Sequence, residues 1–142
     1  MPNIIFKLLG PRVMRPMFCI LVIFTLTMAF LPKPPATPID RFGDKFEHVL
    51  AFAVLTVTAM IGWPQPRRWR IVMLLSALGG LIEVVQAVPF LHRDSDWHDW
   101  VADTVAIVAT ALLISPLVKF AGRRRVGAAH VSHPLTDAGK PH

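Results

Sequence analysis

The chain reads as an all-α membrane protein, a bundle of four transmembrane helices with both termini in the cytoplasm. Three observations lead there. Of its 142 residues, 54% are hydrophobic and only 17% charged, a balance that soluble domains of this size do not keep. The apolar residues gather into four long runs separated by proline-rich or charged breaks. The basic residues sit in short clusters beside those runs rather than among stacking aromatics, which argues for membrane orientation and against nucleic acid as a partner.

Residues 1–16 read as a cytoplasmic N-terminus carrying Lys7, Arg12 and Arg15, followed by the apolar run 17–31. That run has 15 residues, short for a hydrocarbon core that needs about 20, so the helix is expected to recruit Val13 and Met14 with Arg15 snorkelling. The PKPPATP that follows is no A-x-A-like cleavage site, which favours retention as a first span, with a signal peptide as the alternative. Cys19, the single cysteine, leaves no intrachain disulfide or Cys-based metal motif and reads as a small core residue. Pro32, Pro34, Pro35 and Pro38 then stiffen an extended linker.

The second span is 46–63, with Asp44 as its N-cap candidate and Pro64 and Pro66 ending it. After a basic turn of Arg67, Arg68 and Arg70 comes the third span, 71–91, on which Ser76, Gly79 or Gly80, Glu83 and Gln86 recur at steps of three and four. That spacing puts them on one face, where small residues let a neighbouring helix close in and carry the carboxylate into the bundle. An acidic turn with His92, Arg93, Asp94, Asp96 and His98 leads to the fourth span, 100–120, whose Asp99, Asp103, Ala106, Thr110 and Leu113 form a second stripe expected to face inward. Trp63, Trp69, Trp97 and Trp100 flank the spans and read as interfacial anchors. The four spans make one domain, 17–120, and residues 121–142, opening with Arg123-Arg124-Arg125, read as a disordered basic cytoplasmic tail.

Counting Lys and Arg on alternate sides gives 11 against 4, which places both termini in the cytoplasm of a bacterial-type cytoplasmic membrane. The acids sort the other way: all but Asp137 fall on the outer loops or outer helix halves. Glu83 stands roughly 18 Å along its helix, past the midplane of a core about 30 Å thick. A polar pocket open to the outer leaflet is therefore expected, and ionisable groups at such depth mark function by default. His48, Glu83, Asp99 and Asp103 are the nitrogen and oxygen donors that a divalent metal accepts, although no close-spaced pair such as H-E-x-x-H accompanies them.

The ordered motifs D-K-x-x-H at Asp44, Lys45 and His48, E-x-x-Q at Glu83 and Gln86, an Arg-led acidic turn and D-x-x-x-D at Asp99 and Asp103 resemble the VanZ-like family of small membrane proteins. The resemblance covers Asp44 to about Leu113, half the chain. It implies that the family's recurrent polar positions fall on Asp44, Lys45, His48, Glu83, Gln86, Arg93 and Asp99. It also implies an accessory role in the envelope, the family being named after a protein associated with teicoplanin resistance. Asp103 and Ala106 stand where many members have Asn and then Gly, which makes this pocket more acidic.

Three functions fit: a binding module for an amphiphilic or lipid-linked ligand, a metal-assisted hydrolase or transferase acting on a lipid headgroup, and a small ion-coupled transporter titrating at Glu83. Against transport, the second span offers only Thr56 and Thr58 beyond Glu47 and His48. The bland alternative is that Lys45 and Arg93 pair with the acids while His48 and Gln86 complete a network that only fixes the bundle, at around 0.6 kcal/mol per interhelical hydrogen bond.

Overall fold

The apolar runs become helices because a backbone in hydrocarbon must satisfy its own N–H and C=O groups. A computed structural model describes residues 10–31, 43–64, 68–88 and 96–131, without the side chains of Asp44 and 119–131. Among the described residues there are four helices and no strand: α1 (Pro11–Phe30), α2 (Asp44–Gly62), α3 (Arg68–Gln86) and α4 (Trp97–Val131). All four are long and apolar enough to cross a membrane.

Contacts between helix ends show that the chain alternates in direction. Arg15, near the start of α1, donates its Nε–H to the Gly62 carbonyl at the end of α2, at 3.0 Å. Gln86 at the end of α3 donates to the Ala29 carbonyl at the end of α1, also at 3.0 Å. Lys45 at the start of α2 meets Asp96 and Asp99 at the start of α4. Consecutive helices are thus antiparallel. The pair α2 and α4 packs most extensively, α1 leans mainly on α2, and α3 mainly on α4.

The core is apolar and thin: Ala29, Phe52, Leu55, Leu75, Ile82 and Ile107 meet where the four helices converge. Large apolar side chains also cover the outside, with Phe24 60%, Leu74 71% and Leu113 77% exposed. A soluble protein would not tolerate so continuous a surface, whereas lipid tails solvate it without cost.

Several sequence expectations shift. Helix α1 starts at Pro11, so it recruits Val13 and Met14 as expected but also takes in Arg12, Arg15 and Pro16. Proline suits the first helical position, where its missing N–H is not needed. Cys19 is exposed on α1 rather than in the core. Asp44 is the first residue of α2 and not its cap; the cap is Gly43, at φ 90°, a left-handed conformation that only glycine adopts without strain. Helix α3 ends at Gln86 instead of Leu91. Helix α4 begins at Trp97 and continues to Val131, so residues 121–131 are helical rather than a disordered tail, while 132–142 lie outside the described residues.

The fourth-span stripe is half right. Asp99 and Asp103 are buried, but Leu113 faces outward and the buried face continues through Ile107 and Ala111. At about 100° per residue, Ile107 and Leu113 point roughly 120° apart. The packed face drifts around the helix, and the three-and-four repeat followed the wrong edge of it.

Candidate functional site

The alternating topology collects the acids at one end of the bundle. Asp96 immediately precedes α4, and its Oδ1 accepts the His98 N–H at 3.0 Å, the capping bond that a free first-turn donor needs. Its own N–H donates to Glu83 Oε2 on α3 at 3.1 Å, and Lys45 Nζ on α2 lies 2.9 Å from its Oδ2. One residue therefore ties three helices. The His98 N–H, then the Lys45 ammonium, then the His98 imidazole hold its carboxyl well below the usual carboxylate range.

Deeper in, Asp99 and Asp103 stand one turn apart on the inner face of α4. Lys45 Nζ is also 3.2 Å from Asp99 Oδ1, an ion pair without hydrogen-bond alignment. Asp103 is only 1% exposed, and its Oδ2 lies 3.5 Å from His48 Nδ1. Gly79 packs against it: a Cβ there would stand 3.4 Å from Phe52 Cζ and 3.5 Å from Asp103 Oδ2, in ordinary contact with both. Beside Gly79 and Gly80 the Trp100 indole crosses to α3 and donates its Nε1–H to the Ser76 carbonyl at 3.0 Å, while Ser76 Oγ and Thr104 Oγ1 are 2.8 Å apart. The two glycines thus serve close packing within one molecule. Asp103 Oδ1 and Asp99 Oδ1 are buried and have no hydrogen-bond partner among the described residues.

Of the residues singled out from sequence, Lys45, His48, Glu83, Gln86, Asp99 and Asp103 share this end. The structure joins His48 to Asp103 and Lys45 to Asp99. It turns Glu83 toward the Asp96 N–H and Gln86 away, onto α1. Asp44 is placed by its backbone alone, and Arg93, with His92 and Asp94, lies outside the described residues. As for a divalent metal, among the described residues no three of His, Cys, Asp and Glu form a group that could hold one.

Sequence reasoning missed two contributors. Asp96 carries the signal of an N-cap, an aspartate just before an apolar helix with an acid three residues on, whereas the sequence expectation treats it only as one acid in a turn. Trp100, expected as an interfacial anchor, is 41% exposed and spends its N–H on α3. No sequence pattern distinguishes the two roles of a tryptophan at a helix end.

Fold and site together define an all-helical, multi-pass membrane protein with an ionisable cluster buried at one end of its bundle. No family model, curated protein or solved structure matches the chain.

Proposed function

We propose that the protein is an envelope-associated binding or accessory protein of the VanZ-like kind, set in a bacterial-type cytoplasmic membrane with both termini in the cytoplasm. The acidic end then faces the outer leaflet and takes an amphiphilic or lipid-linked ligand. One observation carries this reading: Asp103 is 1% exposed, and its Oδ1 has no hydrogen-bond partner among the described residues. Residues kept only as polar glue repay burial by completing their hydrogen bonds, whereas an open acceptor at that depth costs stability and suits a site that something else completes. The basic clusters at the opposite end support the orientation.

Transport is disfavoured by a second feature. The Thr56 hydroxyl donates to the Phe52 carbonyl at 2.7 Å, and the Thr58 hydroxyl to the Val54 carbonyl at 2.9 Å, so both are spent on their own helix instead of lining a path.

The test is the thermal midpoint of detergent-purified wild type beside Glu83→Gln and Asp103→Asn, each alone, with divalent metal, and with a bacterial inner-membrane lipid extract. The reading expects both variants to keep or raise the midpoint, with lipid extract stabilising wild type more than either variant, since a ligand that binds only the folded state raises apparent stability. Stabilisation by metal alone would move the assignment to a metal-assisted hydrolase or transferase. Collapse of both variants with no ligand effect on wild type would make the cluster structural and end the proposal.

A further inference from the structure

The opposite end of the bundle has a different chemistry. The chain contains no Asp or Glu in 1–39, 49–82 or 104–136, and these stretches supply every described residue at that end. Arg12 and Arg15 on α1 and Arg68 and Arg70 on α3 stand there without a carboxylate among the described residues to neutralise them.

These four arginines divide into two kinds. Arg15 donates to the Gly62 carbonyl at 3.0 Å and lies 5.6 Å from the centre of the Trp63 ring, which packs edge-on against Phe18. Arg68 donates an Nη1–H to the Ser115 carbonyl on α4 at 2.9 Å. Both tie one helix to the next, and Arg15 also complements the negative end of α2. Arg12 and Arg70, exposed as Arg15 also is, make no such hydrogen bond among the described residues, and Arg70 lies 5.8 Å over the ring of Trp69, itself 56% exposed.

We propose that this face binds anionic phospholipid headgroups, with Arg12 and Arg70 meeting the phosphates while Arg15 and Arg68 hold the helices. The planar guanidinium matches two phosphate oxygens at once and keeps its charge at any physiological pH. The surroundings select a lipid rather than a soluble anion. Val13 and Met17 on α1 and Met73 and Leu74 on α3 are exposed apolar side chains within two turns of these arginines, so acyl chains lie directly beside the charges. Trp69 sits at the same level, where an indole prefers the headgroup layer. Each basic residue near an anionic surface contributes about a fivefold preference over a neutral one, and the effect shrinks as salt screens it. The inference depends neither on which way the bundle faces nor on what its acidic end binds.

The experiment compares full-length protein in nanodiscs of phosphatidylcholine alone and of phosphatidylcholine with one quarter phosphatidylglycerol, reading the thermal midpoint by tryptophan fluorescence. Phosphatidylglycerol should raise the wild-type midpoint. The double variant Arg12→Gln/Arg70→Gln should lose that rise while matching wild type in phosphatidylcholine, and Arg15→Gln should lower the midpoint equally in both lipids. A double variant that keeps the full rise overturns the proposal. So does a wild-type rise of the same size produced by inorganic phosphate in phosphatidylcholine discs, because the binding partner would then be any anion.

Discussion

Replacing Gly79 by alanine is expected to stabilise the bundle, and replacing it by leucine to damage it. Glycine in a helix interior costs about 0.8–1.0 kcal/mol relative to alanine. A Cβ at position 79 would meet Phe52 Cζ at 3.4 Å, Asp103 Oδ2 at 3.5 Å and Trp100 Cδ1 at 3.6 Å, ordinary van der Waals contacts that require nothing to move. Most of the propensity gain should therefore survive, giving an increase of about 0.5–1 kcal/mol. Leucine would add three carbons to a space already bounded on α2 and α4, and overpacking of that kind costs roughly 1–3 kcal/mol. The assay is unfolding in mixed micelles of mild detergent and dodecyl sulfate, followed by tryptophan fluorescence. A loss of more than about 1 kcal/mol for Gly79→Ala would refute the argument, because the helices would then have to approach more closely than these distances allow.

Three further outcomes follow from the geometry. Gln86→Leu should cost about 0.6 kcal/mol and at most about 1.7, the worth of one interhelical hydrogen bond, in the same unfolding assay, since its amide is the tie from α3 to the Ala29 carbonyl. Thr56→Val should leave stability within about 0.5 kcal/mol, because the Thr56 hydroxyl serves only the Phe52 carbonyl of its own helix. Asp96, whose folded-state carboxyl is held below its ordinary value of 3.8, should stabilise the fold above that pH and lose its contribution as the pH falls further, its exposure keeping the effect small. The midpoint of Asp96→Asn, measured from neutral pH down through this range, should accordingly fall less steeply than that of wild type.

How much of this was legible from residue order depends on which physical signal carried it. The number of spans and the inward face of α3 were legible, because Ser76, Gly79, Glu83 and Gln86 repeat a period that only a helix can turn into a face. The gathering of His48, Glu83, Asp99 and Asp103 at one end followed from helix direction and residue spacing. Their pairings did not: His48 with Asp103 and Lys45 with Asp99 are choices made in three dimensions by side chains of similar reach. Helix ends were legible to within a few residues at best. A basic, proline-bearing start looked like a cytoplasmic leader although Pro11 can open a helix, and an arginine-rich stretch after Phe120 looked like a tail although arginine is a good helix former. Leu113 shows the limit of periodicity over long helices. A small error per turn accumulates over four turns into the difference between a core position and a lipid-facing one.

The opposed charge of the two ends has an electrical consequence. Among the described side chains, Arg12, Arg15, Arg68 and Arg70 stand at one end, and at the other Glu47, Glu83, Asp96, Asp99 and Asp103 outnumber Lys45. Carrying one elementary charge across a membrane is worth about 2.3 kcal/mol per 100 mV. In a membrane polarised negative on the side of the basic end, inverting the bundle would drive those four arginines against the voltage, a cost of roughly 9 kcal/mol at 100 mV. A membrane polarised in that sense would act on this protein as a standing clamp, and collapsing the voltage would remove that hold without touching a single contact.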